Sequence, residues 1–456
     1  MATLKKALKR NTLRHAEYYD LTAIFDKLYA DSKTGKIFTN LVGIITSRDN
    51  ILLAYRELKR NKGSMTAGTD KLNIRDIEKI PTDDFVCAVQ KKLDWYAPRP
   101  VKRVEIPKDN GKTRPLGIPS IWDRIVQQCI LQVLEPICEA KFHERSNGFR
   151  PNRSTEQAIA QCMRMIQIQN LHFVVDIDIE GFFDNVNHAK LRKQMWTMGI
   201  RDKSLLCIIS KMLKAPIVMP DGKTMIPDKG TPQGGVLSPL LSNIVLNELD
   251  WWISSQWETM PMPSVPQNFN PNGGRNRGNE NKAMRKTALK EMYLVRYADD
   301  FKIFCKKRSD ANKAYLATKK WLAERLKLTV NDEKSKVVNL RKSYTDFLGF
   351  KLKAVPSGGK YKVRSHMSDK SFHKTQELLN TLVKGIQTPE SEQEAHKAIN
   401  RFNAAVIGKH LSKNEIHCHH KTPKCYGGDD RYENLVIVHS DVHILIHAKT
   451  QETIEK

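Results

Sequence analysis

The sequence contains no long hydrophobic run, no internal repeat and no paired cysteine motif. No apolar stretch reaches the roughly 20 residues that a membrane-spanning helix needs, and the basic segment 5–10 is not followed by the apolar region of a signal peptide. The eight cysteines show no Cys-x-x-Cys spacing, which argues against a disulfide framework and fits reduced thiols. We therefore expect a cytosolic protein without a membrane partner, in which Cys129, Cys138, Cys162 and Cys207 are buried apolar side chains.

Acidic residues are too few to balance the basic ones. The chain has 76 Lys and Arg against 50 Asp and Glu, a net charge of +26 over 456 residues. Basic proteins that neutralise phosphates release condensed counterions, which gives strong and salt-dependent binding. The charge predicts a polyanionic partner. Nucleic acid is the leading candidate. An anionic membrane surface could explain the charge too, but the missing signal region and the lack of a run of spanning length argue against it.

Two apolar segments carry aspartates where strands are expected to end. Asp299 and Asp300 lie between the apolar runs 293–296 and 301–304, at the tip of a predicted hairpin. Adjacent aspartates in a turn are often only a solvated loop. A second apolar strand, however, ends at Asp178, more than a hundred residues upstream.

Several converging carboxylates are what a two-metal phosphoryl-transfer site requires, because the two ions lie about 3.5 to 4 Å apart and stabilise both the attacking and the leaving oxygen. We choose Asp178 as the third ligand because Phe183 follows five residues later, where its ring can lie under a sugar. The pattern favours a nucleotidyl transferase.

Alternating helices and strands predict an α/β palm-like domain. The pattern predicts helices over 121–142, 155–166, from 188 onward and over 236–257, with a strand ending at 178 and a turn around 220–222. Residues 261–290 are rich in Pro, Asn, Gly and Arg and predict a flexible basic insertion within one domain.

Two further segments could contact a nucleotide. Turn residues between short extended pieces predict a basic hairpin over 106–119, from which Arg114 could hold a triphosphate through its planar guanidinium. Its composition fits a solvated surface hairpin equally well. The glycines of segment 230–235 precede the long helix and would let the backbone approach a ligand closely.

Taken in order, six motifs resemble the reverse transcriptases that bacterial and organellar group II introns encode. The resemblance covers about residues 50–350 and rests on Asn61-Lys62-Gly63-Ser64, Arg114-Pro115-Leu116-Gly117-Ile118-Pro119, Gly148-Phe149-Arg150-Pro151, Gly230-Thr231-Pro232-Gln233-Gly234-Gly235, Tyr297-Ala298-Asp299-Asp300 and Phe347-Leu348-Gly349-Phe350. It implies a right-hand polymerase fold of fingers, palm and thumb. It also implies an RNA-directed DNA polymerase that binds its own intron RNA as a maturase, in the bacterial cytoplasm or an organellar matrix or stroma.

The resemblance also assigns roles and partners. The partners are an intron RNA template, a DNA primer or target, and deoxynucleoside triphosphates. The implied roles are magnesium binding for Asp178, Asp299 and Asp300, exclusion of ribonucleotides for Phe183, triphosphate contacts for Lys108 and Arg114, nucleotide and template contacts for Gln233, approach to the leaving phosphate for Lys334, and primer grip for residues 347–350.

The C-terminal segment supplies the elements of an HNH nuclease, a small ββα-metal module. His443 and His447 are four residues apart, so on a helix they share a face and can bind one cation. With His419 as a third ligand, His420 is free to activate water, and Asn434 can fix the loop that orients it. Histidines on a surface helix are the alternative. The ion would be magnesium, manganese or zinc, and the sequence leaves the choice open.

The expected organisation is an α+β or α/β polymerase with this nuclease module attached. We assign 1–50 to a basic N-terminal helical extension, 51–350 to fingers and palm, 351–411 to a shortened thumb or maturase region with helices over 371–383 and 392–407, and 412–456 to the nuclease. Two other functions remain open: an RNA-binding maturase with little enzymatic activity, and an RNA-directed RNA polymerase. The bulk of Phe183 speaks against the second. Nothing in the sequence indicates the oligomeric state.

Overall fold

A computed structural model describes residues 15–107, 111, 113–232, 234–271, 273, 275–387, 391, 393–394, 397, 401, 416–420 and 435–439. The described chain divides into two compact units. The first contains residues up to 348 together with 352–364, and the second contains 349–351 and the residues from 365 onward. Residues 352–364 therefore belong to the first unit, although we assigned them to the thumb region.

Helices dominate the N-terminal part of the first unit. They are α1 His15–Tyr18, α2 Thr22–Lys33, α3 Val42–Ile45, α4 Arg48–Arg60, a 3₁₀ turn Lys62–Met65, α5 Ile74–Glu78, α6 Thr82–Asp94 and α7 Ile121–Glu139. Helices α2 and α4 both pack against α7, and the Ser32 hydroxyl donates a 2.7 Å hydrogen bond to the Ile137 carbonyl. The described part of the predicted N-terminal extension is thus integrated into the core.

The predicted helices of the first unit are confirmed, with small shifts at their ends. The remaining helices of this unit are α8 Thr155–Gln167, α9 Phe182–Asn185, α10 His188–Thr197, α11 Lys203–Leu213, α12 Ser238–Ser255, α13 Gly278–Met284, α14 Arg308–Trp321 and a π-helical turn Leu322–Leu326. The apolar residues that predicted α7, from Ile125 to Ile137, are fully buried, because residues three and four apart share one helix face.

A four-stranded sheet carries the predicted basic hairpin. Its strands are β1 Val101–Pro107, β2 Thr113–Ile118, β4 Ile217–Val218 and β5 Thr224–Met225, in the order β2-β1-β4-β5. Pro107 pairs with Thr113 and Ile106 with Arg114, which confirms the hairpin between them. The predicted turn around 220–222 joins β4 to β5.

The central sheet is antiparallel throughout. Its strands are β3 Phe173–Ile177, β8 Met292–Tyr297, β9 Asp300–Cys305 and β10 Lys336–Asn339, in the order β10-β3-β9-β8. Because side chains alternate along a strand, Val175, Ile177 and Ile303 share one core with α12 and α14, whereas Val174 and Phe304 share another with α8. We call this sheet with its helices the palm.

The predicted flexible insertion is wrong in part. Residues 261–290 contain the short strands β6 Asn268–Phe269 and β7 Arg275–Asn276, and helix α13. Met284 is fully buried in the core that contains Trp257, and the buried Glu280 carboxylate accepts a hydrogen bond from Arg277. Met262 and Leu289 of the same segment also pack against this core, although the polar composition indicated a loop. Cys207 is exposed, contrary to our expectation, while Cys129, Cys138 and Cys162 are buried.

The remaining strands near the unit boundary are β11 Thr345–Phe347, β12 Phe350–Ser357 and β13 Lys360–Met367, which form one sheet in that order. The second unit contains α15 Asp369–Gln387, which includes the predicted thumb helix 371–383, and the antiparallel strands β14 Ile416–His420 and β15 Leu435–His439. The predicted helix 392–407 lies largely outside the described residues. None of the helices in the described part of the chain has the length and apolar character to cross a membrane.

Candidate active site

The tip of the β8–β9 hairpin is a two-residue turn. Tyr297 pairs with Asp300, so Ala298 and Asp299 occupy the turn, and Ala298 has a φ of 57°. A positive φ at the first turn position matches the right-handed twist of the paired strands. Gly148 lies against this turn so closely that a Cβ atom there would be 2.2 Å from the Ala298 nitrogen. Any side chain at position 148 would therefore displace the hairpin tip.

Arg296 holds the turn from beneath. Its Nε and Nη2 donate to both carboxylate oxygens of Asp250 on α12, at 2.7 and 2.6 Å, and neither side chain is exposed. Its Nη1 donates to Asn243 Oδ1 at 2.9 Å and to the Ala298 carbonyl at 2.7 Å. The guanidinium thus fixes the turn to α12. We did not predict this group, although an arginine within an apolar strand was its signal.

The carboxylates of Asp178, Asp299 and Asp300 interact electrostatically at this edge of the palm. Asp178 follows β3 directly, where its backbone N–H donates to the Ser335 hydroxyl at 3.0 Å. Burial raises the pKa of Asp300 to about 6, with smaller contributions from the negative charges of Asp176, Asp299 and Asp178 and against the lowering effect of Lys302. Burial likewise raises the pKa of Asp299, and Asp178 adds to that shift. The charge of Asp178 therefore acts on both Asp299 and Asp300, the other two aspartates selected from the sequence.

Two lysines contact these carboxylates. Lys334 Nζ lies 3.4 Å from Asp178 Oδ2. Lys302, whose side chain is only 3% exposed, places Nζ 2.5 Å from Asp176 Oδ1 and 3.7 Å from Asp300 Oδ1. Asp176 and Lys302 are direct cross-strand partners. We predicted a position for Lys334 but missed the Lys302–Asp176 pair, although a lysine interrupts the apolar run 301–304.

The carboxylates suit a divalent metal in donor type and in charge. Carboxylate oxygens are the ligands that magnesium prefers, and a cation would relieve the repulsion that helps to raise the pKa values of Asp299 and Asp300. Within the described residues, no three His, Cys, Asp or Glu side chains are grouped closely enough to hold a metal ion. The side chains would have to turn towards one another to complete such a site.

The glycine-rich loop packs against the segment that carries Phe183. Thr231 N–H donates to the Phe183 carbonyl at 2.6 Å, and Gly230 N–H donates to the Val186 carbonyl at 2.7 Å. A Cβ at Gly230, whose φ is 93°, would meet the Asp184 carbonyl oxygen at 2.9 Å. Phe183 is itself buried. The loop and the proposed sugar gate are therefore neighbours.

A cavity of about 210 Å³ opens beside this loop, with Arg103, Asp184 and Thr231 in its lining. Arg103 Nη1 lies 3.9 Å from Asp184 Oδ1 and links β1 to α9. Arg103 Nε and Thr231 Oγ1 are buried without a hydrogen-bond partner among the described residues. Sequence reasoning assigned no role to Arg103 or Asp184.

Of the other residues predicted to contact substrate or metal, some lie within the described residues and some lie outside them. Arg114 is exposed on β2, and its positive charge lowers the pKa of Asp299. Lys108 and Gln233 lie outside the described residues. In the second unit, His419 and His420 pair with Val436 and Leu435 across the two strands. Asn434, His443 and His447 lie outside the described residues, so the HNH helix and its metal ligands stay predictions.

Comparison with known proteins gives one consistent family. Residues 106–352 match the family model described as reverse transcriptase (RNA-dependent DNA polymerase). The chain is 33% identical to protein YkfC of Escherichia coli over 68% of its own length and 82% of that protein. It is 30% identical to the group II intron-encoded protein LtrA of Lactococcus lactis, over 75% and 62%. It is 29% identical to the COX1/OXI3 intron 2 protein of Saccharomyces cerevisiae, over 71% and 40%. The aligned region thus covers less than two thirds of LtrA and of the yeast protein.

Proposed function

We propose that this chain, which belongs to the reverse transcriptase family and is related to the proteins that group II introns encode, copies RNA into DNA at the palm carboxylates. The observation that carries the proposal is the electrostatic coupling of Asp178 to Asp299 and Asp300, at a turn that Arg296 holds in place. These are the residues to which the family resemblance assigns the metal site of nucleotidyl transfer. The substrates would be deoxynucleoside triphosphates, with an RNA template and a DNA primer.

Each proposed residue has a distinct task. Asp178, Asp299 and Asp300 would bind the magnesium ions that the family implies, and those ions would stabilise the attacking and leaving oxygens. Arg114 would hold the triphosphate through its planar fork, with Lys108 beside it. Lys334, now next to Asp178, would face the leaving phosphate. We also retain the proposal that Gln233 lies along the nucleotide and template, and that residues 347–350 grip the primer.

Phe183 supports a DNA product over an RNA product. Its ring is buried and makes an edge contact with the Phe182 ring, with 5.4 Å between the centroids. Its backbone carbonyl accepts a hydrogen bond from the glycine-rich loop. A ring held in this way would resist displacement by a 2′-hydroxyl. We therefore prefer a DNA polymerase to the RNA-directed RNA polymerase that shares the same palm chemistry.

A maturase role is compatible with the same chain. The net charge of +26 supports binding to folded intron RNA, and such binding does not need the palm carboxylates. Replacing both Asp299 and Asp300 with Ala should abolish primer extension on an RNA template, while RNA binding and assisted splicing are retained. Asp221→Ala, at an exposed hairpin turn, is the matched control. Synthesis by the double variant at the control's rate would refute the carboxylate assignment.

An HNH nuclease in the C-terminal segment is a second proposed activity. Its support is the antiparallel pairing of β14 with β15, which ends at His420 and resembles the ββ part of a ββα-metal module. His420→Ala should abolish metal-dependent nicking of DNA without changing the far-ultraviolet circular dichroism. Absence of nicking by the parent protein with magnesium, manganese and zinc would contradict the proposal. That outcome would leave the polymerase proposal unaffected.

A further inference from the structure

Two basic cavities share a rim on the outer side of the palm. The larger, of about 680 Å³, lies between α10 and α12, and the smaller, of about 420 Å³, lies between α10 and α11. Lys193 lines both. We call the two cavities together the α10 surface. Its charged residues are seven cations, Lys33, Lys141, Lys190, Arg192, Lys193, Lys203 and Arg325, and one carboxylate, Glu248.

The single carboxylate does not neutralise the surface. Glu248 accepts hydrogen bonds from Lys190, Gln194 and Arg325. In the part of the chain that the structure describes, no ion pair involves Lys33, Lys141 or Lys193. The α10 surface therefore keeps a concentrated positive charge, which attracts a polyanion.

Each cavity also contains a half-exposed tryptophan. Trp251 lines the larger cavity and is 45% exposed, and its Nε1 donates to the Lys141 carbonyl at 3.0 Å. The His143 ring meets its indole edge to face, with centroids 4.8 Å apart. Trp196 lines the smaller cavity and is 40% exposed. The Arg201 guanidinium lies 5.4 Å from the centroid of the Trp196 ring and covers one of its faces. Exposed indole rings beside lysines are what unpaired bases stack on, while their phosphates contact the cations.

The α10 surface is separate from the candidate active site. Ile177, Phe301 and Ile303 project from the palm sheet into the core that contains α12. Asp178 and Asp300 neighbour these residues in sequence, so by alternation they project from the opposite face. Helix α12 lies between the sheet and the larger cavity, where Glu248 and Trp251 face outward. A strand bound there would not occupy the primer-template cleft.

We propose that the α10 surface is a second nucleic-acid site, which binds an unpaired polynucleotide strand by phosphate contacts and by base stacking on Trp251 and Trp196. A duplex would satisfy the lysines but would not offer a base face to either indole. The source of the strand is an unpaired segment of RNA or a single strand of DNA, which share this chemistry. The inference does not depend on polymerase activity.

The test measures binding of a labelled single strand to the full chain after a saturating unlabelled primer-template has been added. The probes are a 16-nucleotide uridine RNA, its deoxythymidine counterpart and an RNA duplex, at several salt concentrations. Trp251→Leu removes the ring but keeps apolar volume, and Trp251→Phe restores a stacking face. Trp95→Leu is the matched control, because Trp95 is 87% exposed at the end of α6.

Stacking is worth about 1 to 3 kcal/mol per base, so Trp251→Leu should weaken single-strand binding roughly 5- to 150-fold. Trp251→Phe should recover most of that loss. Lys193→Ala should reduce the salt dependence by about 0.7 in slope, whereas Lys320→Ala, on the exposed side of α14, should not. Thermal midpoints of all variants check that each is folded.

The preferred probe identifies the source of the strand. Stronger binding of RNA would assign the surface to RNA, and equal or stronger binding of the deoxythymidine strand would assign it to single-stranded DNA. The proposal is overturned if Trp251→Leu binds as tightly as Trp95→Leu, or if only the duplex binds. Because the primer-template cleft is filled throughout, either result leaves the proposed polymerase function intact.

Discussion

Replacing Arg296 with Met should destabilise the first unit more than any exposed ion-pair change. Both Arg296 and Asp250 are fully buried, so the substitution leaves the Asp250 carboxylate without its partner. Breaking such a pair costs about 3 to 5 kcal/mol. The Asn243 oxygen and the Ala298 carbonyl also lose a hydrogen bond, and an unsatisfied buried acceptor costs about 1 to 3 kcal/mol. Because these losses share one cavity and are not additive, we expect a total of about 4 to 6 kcal/mol.

The assay is urea unfolding followed by tryptophan fluorescence, together with primer extension at a temperature where every variant is folded. Arg48→Met is the matched control, because Arg48 pairs with Asp83 on the surface and should lose no more than about 1 kcal/mol. Adding Asp250→Ala to Arg296→Met removes the unpaired charge and should restore part of the stability. Primer extension should remain impaired in that double variant, because the Ala298 carbonyl still lacks its hydrogen bond from Arg296.

The reasoning is refuted by either of two results. The first is unfolding of Arg296→Met at the same urea concentration as Arg48→Met, which would mean that the buried pair contributes no more than a surface pair. The second is a loss in the double variant equal to the sum of the two single losses, which would mean that the two side chains do not interact.

Three further predictions concern the palm carboxylates and their neighbours. Burial raises the pKa of Asp300 to about 6, so its ionised form destabilises the metal-free fold above that pH. Asp300→Asn should therefore be more stable than the parent at pH 8, and this advantage should vanish as the pH falls through 6 towards 4. A constant difference in urea midpoint between pH 8 and pH 4 would contradict this. Phe183→Ala should raise ribonucleotide incorporation relative to deoxynucleotide incorporation by roughly 10- to 100-fold, and an unchanged ratio in single-nucleotide extension would remove the gate assignment. Lys302→Met leaves Asp176 partly buried and unpaired, so it should lower both the thermal midpoint and the rate of primer extension. Lys302→Arg should recover part of each. Parental values for the Met variant would show that the pair is dispensable.

Local pattern predicted the elements of the palm, because helix and strand periods are set by the side chains themselves. Helix α7 and the β8–β9 hairpin follow from the spacing of their apolar residues. The Arg296–Asp250 and Lys302–Asp176 pairs could not be predicted, because each joins residues 46 or 126 positions apart and depends on the strand order. Helix α13 was missed for a different reason. Its one fully buried apolar residue, Met284, lies in a segment whose polarity indicates a loop.

The order of the palm strands has a consequence for how the chain folds during synthesis. Strand β3 leaves the ribosome long before either of its neighbours, since it pairs with β9 and β10, which end at residues 305 and 339. Until then both of its edges lack their native partners, which makes such a strand prone to aggregate. The three aspartates are also brought together only at this late stage. Shortened chains that stop before residue 300 should therefore be insoluble as well as inactive.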